Sequence, residues 1–446
     1  MTNYYGHNIV IIGLGITGIT CVNFFRSRGI TPRVMDTRYN PPQLNQLPKD
    51  IQYWLGELKI EWLLAATLIV ISPGISLSHP AINTAMKCGI EIIGDVELFL
   101  REVTVPVVAI TGTNGKSTVA KLVGTMANCA GLKVGVGGNI GYPVLSLLQQ
   151  SHQLYVLELS SFQLETTKNL KVAVATILNI SEDHMDRYPL GLQQYREAKL
   201  KIYKQAKIYI INDDDKLTLP ANSTNKEYCS IIKFGIKSGH YCLGDYQGKQ
   251  WLMAYGKPLL DCNEIKIIGR HNLLNALAAL ALAEAIAIPR QACLIALRQF
   301  SGLMHRFELV LERKGIRWIN DSKATNVGST KAALNELTVD GTLHLLLGGD
   351  GKLADFSSLQ PFVQGNNIHL YCFGKDSKKL AALNQHSATI TQTLSQAMHI
   401  INNQVKAGDV VLLSPACSSL DQFENFKVRG KTFTNLVFEF NDGNNN

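Results

Sequence analysis

The chain has 446 residues, of which 46% are hydrophobic and 17% are charged, and its formal net charge is +8 at pH 7. This composition is typical of a folded globular protein with roughly two to four domains, and it excludes a disordered or fibrous chain. Lysine and arginine are scattered without the dense runs of nucleic-acid-binding tails, so we expect no nucleic-acid partner. The excess positive charge could equally favour a polyanionic small molecule.

Cysteine usage and hydropathy indicate a cytoplasmic protein. The nine cysteines are widely spaced and form no CxxC pair, which indicates neither a disulfide framework nor a thiolate zinc site. The N-terminus lacks a basic segment followed by an apolar core, so no signal peptide is predicted. The most apolar stretch, Leu273 to Ile288, is too short to span a bilayer, and we predict a buried helix there and no membrane span.

Apolar strand-like runs alternate with helical patterns in three successive blocks. This alternation predicts parallel sheets with crossover helices, in which ligands bind beyond the carboxyl ends of the strands. We therefore predict an α/β fold of three domains, each with a mostly parallel sheet flanked by helices. The predicted bounds of the domains are residues 1–94, 95–302 and 303–446.

The first block contains a glycine motif. A predicted strand, Asn8–Ile12, leads into GLGITG at residues 13–18, and a second strand, Pro32–Met35, ends at Asp36. GxGxxG after a strand, with an acid after the next strand, is the dinucleotide fingerprint, in which glycines admit a pyrophosphate to a helix N-terminus. NAD and FAD are therefore candidates. A UDP-sugar also carries a diphosphate, and a tight turn without a ligand would give the same pattern.

The second block opens with a predicted phosphate loop. Strand Val107–Ile110 leads into TGTNGKST at residues 111–118, which departs from the Walker A pattern because Ile110 replaces its first glycine. Backbone N–H groups would hold phosphates, Lys116 would reach the β- and γ-phosphates, and a hydroxyl would ligate Mg²⁺. A purely structural turn is the alternative.

Three other residues of this block are candidates with ordinary alternatives. Glu158 ends a strand, where a Mg²⁺ ligand belongs, although acids at strand ends are commonly solvated. His184 lies in the polar loop SEDHMD and could bind metal or phosphate, or simply be exposed. Lys199 lies on a helical pattern and, from its spacing alone, is a solvated lysine.

In the third block, polar loops follow the predicted strands. In the first of them, Asn320–Asn326, the density of hydrogen-bonding groups suits nucleotide or substrate contact, although an ordinary helix cap would look similar. These loops are Asn320–Asn326, Gly348–Lys352, Phe373–Lys375 and Ser414–Cys417.

Taken together, the segments resemble the Mur ligases, and within that family the D-glutamate-adding branch. The resemblance extends from Ile11 to Gly430. The marks shared by the family are Thr111–Thr118, Glu158, His184, Lys199, His271-Asn272, His305-Arg306 and Asp321-Ser322-Lys323. The marks of the branch are Met35–Arg38, Ser72–Gly74, Gly138–Gly141 and Ser414–Gly430.

The resemblance implies a monomeric ATP-dependent enzyme that joins D-glutamate to UDP-N-acetylmuramoyl-L-alanine through an acyl phosphate. Its domains would bind the UDP substrate, ATP and the amino acid in that order. The residues implied for the UDP substrate are Ile16, Thr17, Thr37, Arg38, Ser72, Gly74, Asn139 and His184. Those implied for ATP are Gly112, Thr113, Asn114, Gly115, Lys116, Ser117, Thr118, Asn272, Asn275, Arg306 and Asp321. Those implied for D-glutamate are Thr325, Lys352, Ser419 and Phe426.

The resemblance also implies two Mg²⁺ ions and a modified lysine. The implied metal ligands are Ser117, Glu158, His184 and a carbamate on Lys199, and the implied catalytic residues are Lys116, His184 and Lys199. Closure around the substrates would exclude water from the acyl phosphate, so hinges are expected near residues 94–105 and 300–306.

Four rival interpretations remain. The segment Ser414–Gly430 argues against another member of the Mur ligase family. The UDP-type first block argues against an enzyme similar to folylpolyglutamate synthase. An NAD-dependent oxidoreductase would leave Thr111–Thr118 without a purpose. A non-catalytic nucleotide sensor would not need Glu158, His184 and Lys199 together.

Overall fold

The computed structural model describes residues 2–220, 230–267 and 269–442, apart from the side chains of residues 336 and 442. Its contacts divide the chain into two compact units. The first contains Met1–Ile180, Tyr195–Glu264 and Leu274–Arg298, and the second contains Ser181–Gln194, Ile265–Leu273 and Gln299–Asn446. Across the described ranges, no helix combines the length and the apolar character needed to cross a membrane.

The first sheet has five parallel strands in the order β3-β2-β1-β4-β5. Its strands are β1 (Ile9–Ile12), β2 (Arg33–Asp36), β3 (Tyr53–Leu55), β4 (Leu68–Ile71) and β5 (Glu91–Ile93). Its helices are α1 (Ile16–Arg26), α2 (Ile60–Leu64), α3 (Pro80–Lys87) and α4 (Asp95–Leu100). All residues of β1 and β4 are apolar and buried, as in parallel sheets covered on both faces. The strand order reverses between β1 and β4, and such a switch point is where open α/β sheets bind ligands.

The second sheet has nine strands in the order β14-β13-β12-β11-β10-β9-β6-β8-β7. Its strands are β6 (Val107–Thr111), β7 (Val134–Gly138), β8 (Leu154–Glu158), β9 (Val174–Ile177), β10 (Ile208–Asn212), β11 (Ser230–Phe234), β12 (Tyr241–Tyr246), β13 (Lys249–Ala254) and β14 (Lys257–Asp261). Its helices are α5 (Lys116–Cys129), α6 (Ser161–Glu165), α7 (Leu192–Leu200), α8 (Arg270–Ala285) and α9 (Arg290–Gln299). The pairs β12–β13 and β13–β14 are antiparallel. The predicted buried helix is α8, whose residues 275–283 are all buried.

Helix α4 is anchored where the first two sheets meet in the chain. The fully buried carboxylate of Glu97 accepts hydrogen bonds from the backbone N–H groups of Lys168 (2.8 Å) and Asn169 (2.9 Å). It also accepts one from Arg101 Nε at 3.0 Å. Burial alone would raise the pKa of Glu97, but these hydrogen bonds outweigh it and the pKa lies below its ordinary value. A hinge at this helix would have to break these contacts, so the hinge proposed near residues 94–105 stays a prediction.

The third sheet has six strands in the order β15-β16-β20-β17-β18-β19, and only β15 is antiparallel to its neighbour. Its strands are β15 (Glu308–Arg313), β16 (Ile316–Asn320), β17 (Leu343–Gly348), β18 (Ile368–Phe373), β19 (Ala388–Ile390) and β20 (Val410–Leu413). Its helices are α10 (Val327–Glu336), α11 (Gln360–Val363), α12 (Ser377–Ala381), α13 (Leu394–Asn402) and α14 (Phe426–Asp442). Leu345 and Leu346 pack into separate core clusters, because successive side chains point to opposite faces of the sheet. The predicted α/β fold with three mostly parallel sheets is confirmed.

Candidate active-site regions

The glycine motif after β1 makes a close-packed turn onto α1. A Cβ atom added to Gly18 would lie 1.9 Å from the carbonyl oxygen of Gly13, and one added to Gly13 would lie 2.7 Å from Ser72 Cβ. Ser72 Oγ donates a hydrogen bond to the same Gly13 carbonyl at 3.0 Å. The two glycines therefore permit contacts that a side chain would prevent, and they hold the end of β1 against the end of β4.

The acid that follows β2 is used inside the protein. Asp36 is fully buried, accepts the Leu14 N–H at 2.6 Å, and binds Arg38 through both Nε (2.9 Å) and Nη2 (2.7 Å). Burial would raise the pKa of Asp36, but the hydrogen bonds from Arg38 and from the Leu14 N–H outweigh it and hold the pKa below its ordinary value. In a dinucleotide site this acid would face the ribose. Here it supports the glycine turn instead.

Six of the eight residues predicted to hold the UDP substrate lie beyond the carboxyl ends of three adjacent strands of the first sheet. Ile16 and Thr17 begin α1, which follows β1, and the side chain of Ile16 is 63% exposed. Helix α1 has Gly15 as its N-cap without a side-chain cap hydrogen bond, which leaves its N-terminus open to an anion. The next four follow the neighbouring strands β2 and β4, and they are Thr37, Arg38, Ser72 and Gly74. The other two are Asn139, which follows β7 of the second sheet, and His184, which belongs to the second unit, so the first sheet does not place them and their role stays a prediction.

The predicted phosphate loop joins β6 to α5. Gly115 is the N-cap of α5 in the left-handed region (φ +80°), and a Cβ there would lie 2.3 Å from the Asn275 side chain. Asn179, just beyond β9, accepts the Thr113 N–H through its backbone carbonyl at 2.9 Å and the Asn114 N–H through its side chain at 2.8 Å. Asn179 thus holds the loop through hydrogen bonds, and the Asn275 side chain packs closely against Gly115.

Lys116 folds back over this loop. Its ammonium group donates hydrogen bonds to the carbonyls of Gly112 at 2.8 Å and Thr113 at 2.7 Å. The charge therefore lies beside the turn where phosphates would be bound. Thr118 is buried in the first turn of α5.

Glu158 connects the loop with the end of β8. It is 2% exposed, accepts a hydrogen bond from Ser117 Oγ at 2.6 Å, and accepts another from Asn139 Nδ2 at 2.9 Å. The solvated alternative for Glu158 is therefore wrong. A serine hydroxyl beside a buried carboxylate is a donor pair that fits Mg²⁺ at a phosphate loop. The described residues contain no cluster of three or more His, Cys, Asp and Glu side chains placed to hold a metal ion.

Lys199 is also buried, with 1% of its surface exposed, so its solvated alternative is wrong as well. Its Nζ donates hydrogen bonds to the Gly112 carbonyl at 2.9 Å and to Thr111 Oγ1 at 3.3 Å. It also lies 4.5 Å from the centroid of the Tyr195 ring. Lys116 and Lys199 consequently converge on one carbonyl group of the phosphate loop.

In the second unit, Asp321 follows β16 and is buried. Its carboxylate accepts hydrogen bonds from Ser414 Oγ at 2.9 Å and from the Phe307 N–H at 3.1 Å. Burial raises the pKa of Asp321 to about 7, partly offset by Ser414 and by the nearby charges of His271 and Arg306. Asp321 thus links the segment before β15 to the loop after β20.

His184 lies in the same unit, beside Lys352. Asp183 Oδ1 lies 2.9 Å from Lys352 Nζ, while Asp183 Oδ2 lies 3.7 Å from His184 Nε2 and 3.4 Å from Asn326 Nδ2. The backbones of His184 and Lys352 adopt φ values of +59° and +52°, a region that side chains other than glycine rarely occupy. The other three predicted metal ligands belong to the first unit, so the four-residue metal set stays a prediction.

The residues predicted to bind D-glutamate follow three adjacent strands of the third sheet. Thr325 follows β16, Lys352 follows β17 and Ser419 follows β20, and the sheet order is β16-β20-β17. Phe426 begins α14, accepts the Ser322 hydroxyl at 2.8 Å through its carbonyl, and has Lys323 Nζ 4.8 Å from its ring centroid. The sheet therefore brings these loops to one edge.

Of the other residues predicted to bind ATP, one lies beside the phosphate loop and two belong to the second unit. Asn275 packs against Gly115, while Asn272 lies in the first turn of α8, in the second unit. Arg306 precedes β15, and its charge lies near enough to Asp321 to offset part of the rise that burial causes in the pKa of Asp321. Their joint role in binding ATP stays a prediction.

Three residues in these regions carried no individual role in the sequence interpretation. They are Asn179, Asp183 and Arg429, and Arg429 is fully buried. Asn179 could have been found as a polar residue just beyond an apolar strand. The partners of Asp183 and Arg429 are distant in the chain, and no local pattern reveals them.

Comparison with known proteins decides the family. The domain descriptions "Mur ligase MurD-like, N-terminal domain", "Mur ligase middle domain" and "Mur ligase, glutamate ligase domain" match residues 7–94, 110–283 and 305–417. A relative from Sodalis glossinidius (strain morsitans) is 63% identical over 439 residues, covering 98% of this chain and 100% of the relative. The chain belongs to the Mur ligase family. A relative from Escherichia coli (strain K12) is 59% identical over the same shares of both chains. Both relatives are named UDP-N-acetylmuramoylalanine--D-glutamate ligase.

Solved structures of other Mur ligases and their relatives have the same fold. A pseudomurein peptide ligase type C from Methanothermus fervidus gives a TM-score of 0.63 at 19% identity, covering 97% of this chain and 100% of that one. The MurF ligase from Thermotoga maritima, solved in complex with ADP, gives 0.61 at 18% identity, with 99% and 98% covered. The likeness confirms the three-domain α/β architecture of this chain.

Proposed function

We propose that this protein ligates D-glutamate to UDP-N-acetylmuramoyl-L-alanine, converting ATP to ADP and phosphate. The reaction makes a peptidoglycan precursor in the cytoplasm and thereby serves cell-wall growth, cell shape and division. The observation that carries the proposal is the convergence of Lys116, Lys199 and the Ser117–Glu158 pair on one phosphate loop. The two substrates are those implied by the names of relatives at 63% and 59% identity.

The chemistry requires activation of a carboxylate. Oxide is a poor leaving group, so the terminal carboxylate of the alanyl substrate attacks the γ-phosphorus of ATP and forms an acyl phosphate with release of ADP. Lys116 would exchange its two loop carbonyls for phosphate oxygens and would neutralise the charge on the transferred group. The amine of D-glutamate then attacks the acyl carbon, and phosphate leaves as the amide forms.

The donor groups near the loop fit Mg²⁺. The residues that would hold the two proposed ions are Ser117, Glu158, His184 and a carbamate on Lys199. When bound, the ions supply positive charge that stabilises the phosphate oxygens. The carbamate would form from the neutral Lys199 amine and CO₂ with loss of a proton. The burial of the Lys199 side chain beside the phosphate loop supports this role.

The first domain would bind the UDP substrate at the switch point of its sheet. The diphosphate would meet the open N-terminus of α1, where Ile16 and Thr17 lie. Asp36 holds the turn through the Leu14 N–H and fixes the Arg38 side chain. With this acid buried, the NAD-dependent alternative loses the group that would bind the ribose.

The C-terminal domain would bind D-glutamate between its strand-end loops. Lys352 would counter a carboxylate of the substrate, with Asp183 holding the lysine side chain in place. Thr325, Ser419 and Phe426 would complete the site. We also propose that the protein is a monomer with domains at residues 1–94, 95–302 and 303–446.

Phosphate release from ATP tests the proposal. Release should require UDP-N-acetylmuramoyl-L-alanine and D-glutamate together, and omission of either should reduce it to background. Phosphate release at the same rate with and without D-glutamate would contradict the proposal and would favour a nucleotide sensor or a different ligase.

A further inference from the structure

Arg429 lies in the first turn of α14 and is fully buried. Its guanidinium group makes four hydrogen bonds. Nε donates to Ser322 Oγ at 3.1 Å, Nη1 to the Gly348 carbonyl at 3.1 Å, and Nη2 to the carbonyls of Ser322 at 2.9 Å and Cys417 at 3.1 Å. One planar group thereby ties together three segments that are far apart in the chain.

The three segments are the carboxyl ends of β16, β17 and β20 with the loops that follow: Gly348 is the last residue of β17, while Ser322 and Cys417 lie in the loops beyond β16 and β20. Each holds one residue of the proposed D-glutamate site, namely Thr325, Lys352 and Ser419. The strands are adjacent in the sheet, but a sheet fixes only where each strand ends, and not the path of the loop beyond it. Two pairs of these loops are joined directly, by Asp321 with Ser414 and by Asp350 with Ser418. Arg429, in the first turn of α14, adds one group that bonds to all three segments at once.

The charge of Arg429 is held mainly by neutral groups. No carboxylate of the described residues lies within 4.0 Å of its guanidinium, although Asp421 and Asp321 act on it from farther away. Burial lowers the pKa of Arg429 to about 10, so the group stays charged at neutral pH. Burying a charge without a close counter-ion is costly, and neutral side chains could tie carbonyls together more cheaply. A dicarboxylate substrate bound among these loops would use the charge.

We propose that Arg429 is a positioning residue for D-glutamate, which sets the relative places of the three loops and supplies positive charge for a dicarboxylate. The inference rests on the proposed function and extends it to a residue that touches no reacting atom. Lysine cannot replace it fully, because only the guanidinium fork reaches several carbonyls at fixed angles.

Steady-state kinetics of R429K and R429M, with each substrate varied in turn, test the proposal. Losing hydrogen bonds from a buried charged group should raise the KM for D-glutamate about tenfold or more. The KM values for ATP and the UDP substrate should stay within about twofold, because Asp321 is the one residue of their proposed sites that lies in these loops, and Ser414 and the Phe307 N–H hold it independently of Arg429. R429K should lie between wild type and R429M, since it keeps the charge and loses the fork.

A matched control is D409N, at the opposite end of β20. Asp409 is also buried and accepts the N–H groups of Thr342 at 2.7 Å and Lys406 at 2.8 Å. D409N should lower the melting temperature and leave all three KM values unchanged.

Chemical rescue is a further test. Guanidinium added at millimolar concentration should lower the KM for D-glutamate in R429A and should have no effect on D409N.

Two results would overturn the inference: an unchanged KM for D-glutamate in both Arg429 variants, or an equal rise in all three KM values. Either can be observed with R429K alone if R429M does not fold. A wild type that needs no D-glutamate would remove the proposed function, and this inference with it. An active wild type with unchanged variants would remove only the inference.

Discussion

The turns after β1 and β6 both join a buried parallel strand to the start of a helix. In each, glycine allows a contact that a side chain would prevent, at Gly18 against Gly13 and at Gly115 against Asn275. They differ in what lies beside the turn. The first is supported by the buried Asp36, whereas the second has the amino groups of two lysines on its carbonyls.

The difference shows that glycine spacing creates access for phosphate, while the surrounding side chains determine whether the phosphate is only bound or also transferred. A turn supported by an internal ion pair can bind a diphosphate and leave it unchanged. A turn with the Lys116 ammonium group and a hydroxyl–carboxylate pair beside it can also stabilise a phosphoryl group in transfer. Changes at the second turn should therefore affect turnover, and changes at the first should affect binding and stability.

The largest effect is expected at Lys116. Lys116→Ala should lower the rate of ligation on the order of a thousandfold or more, because the charge that follows the transferred phosphoryl group is removed. The melting temperature should change little, since the lysine bonds only two loop carbonyls. Product formation and thermal unfolding should be measured on the same preparation. Near-normal turnover in a folded variant would refute the role of the second turn.

Lys199 should give the next largest effect. Lys199→Ala should lose activity at least about a hundredfold and recover part of it when acetate is added, because the acid can replace a carbamate in the vacated space. Lys199→Arg should stay inactive, since it keeps a positive charge and cannot take up CO₂ in this way. The rates with and without acetate decide the matter. A wild-type rate in Lys199→Arg would mean that the buried lysine needs only its positive charge.

At the first turn, Gly18→Ala should act on binding and stability. Its Cβ would lie 1.9 Å from the Gly13 carbonyl, so the backbone must shift at a cost of roughly 1 to 3 kcal/mol. The KM for the UDP substrate should rise and that for ATP should not. Gly15→Ala is the control for stability, because no heavy atom lies within 4 Å of its added Cβ. Equal destabilisation by both variants would contradict the packing argument.

The smallest effect concerns Asp36 and pH. Its pKa lies below the ordinary value of 3.8, so its stabilising contribution is present above pH 3.8 and is lost as the pH falls through the lowered pKa. Asp36→Asn should therefore cost about 1 kcal/mol at neutral pH and progressively less in acid. Denaturant unfolding at several pH values measures this. A difference that is constant with pH would show that the charge of Asp36 does not matter.

Much of the architecture could be predicted from the sequence, because strands and glycine turns leave local patterns. The strands predicted at Asn8–Ile12, Pro32–Met35 and Val107–Ile110 agree with β1, β2 and β6 to within one residue at each end. The antiparallel strands β12 to β14 were missed, since the alternation of strands and helices describes only parallel units. For the UDP substrate, ATP and D-glutamate residues, the sheets explain why they lie at strand ends, while their roles stay predictions.

The environment of single charged residues could not be predicted. The spacing of Lys199 on its helix predicts a solvated side chain, yet the side chain is buried and donates a hydrogen bond to Gly112, 87 residues away. Glu97 accepts hydrogen bonds from the backbone of Lys168 and Asn169, which lie 71 and 72 residues away in the chain. Helical periodicity says which face is polar, but it does not say which distant segment covers that face.

The most direct test of the central claim follows one oxygen atom. If the second turn transfers a phosphoryl group to the alanyl carboxylate, an oxygen of that carboxylate must leave with the phosphate when D-glutamate attacks. UDP-N-acetylmuramoyl-L-alanine labelled with ¹⁸O in its carboxylate should therefore give phosphate carrying a single ¹⁸O, in step with the formation of the amide. Mass spectrometry of the released phosphate measures this. Unlabelled phosphate accompanying amide formation would contradict the acyl phosphate and the role assigned to the turn.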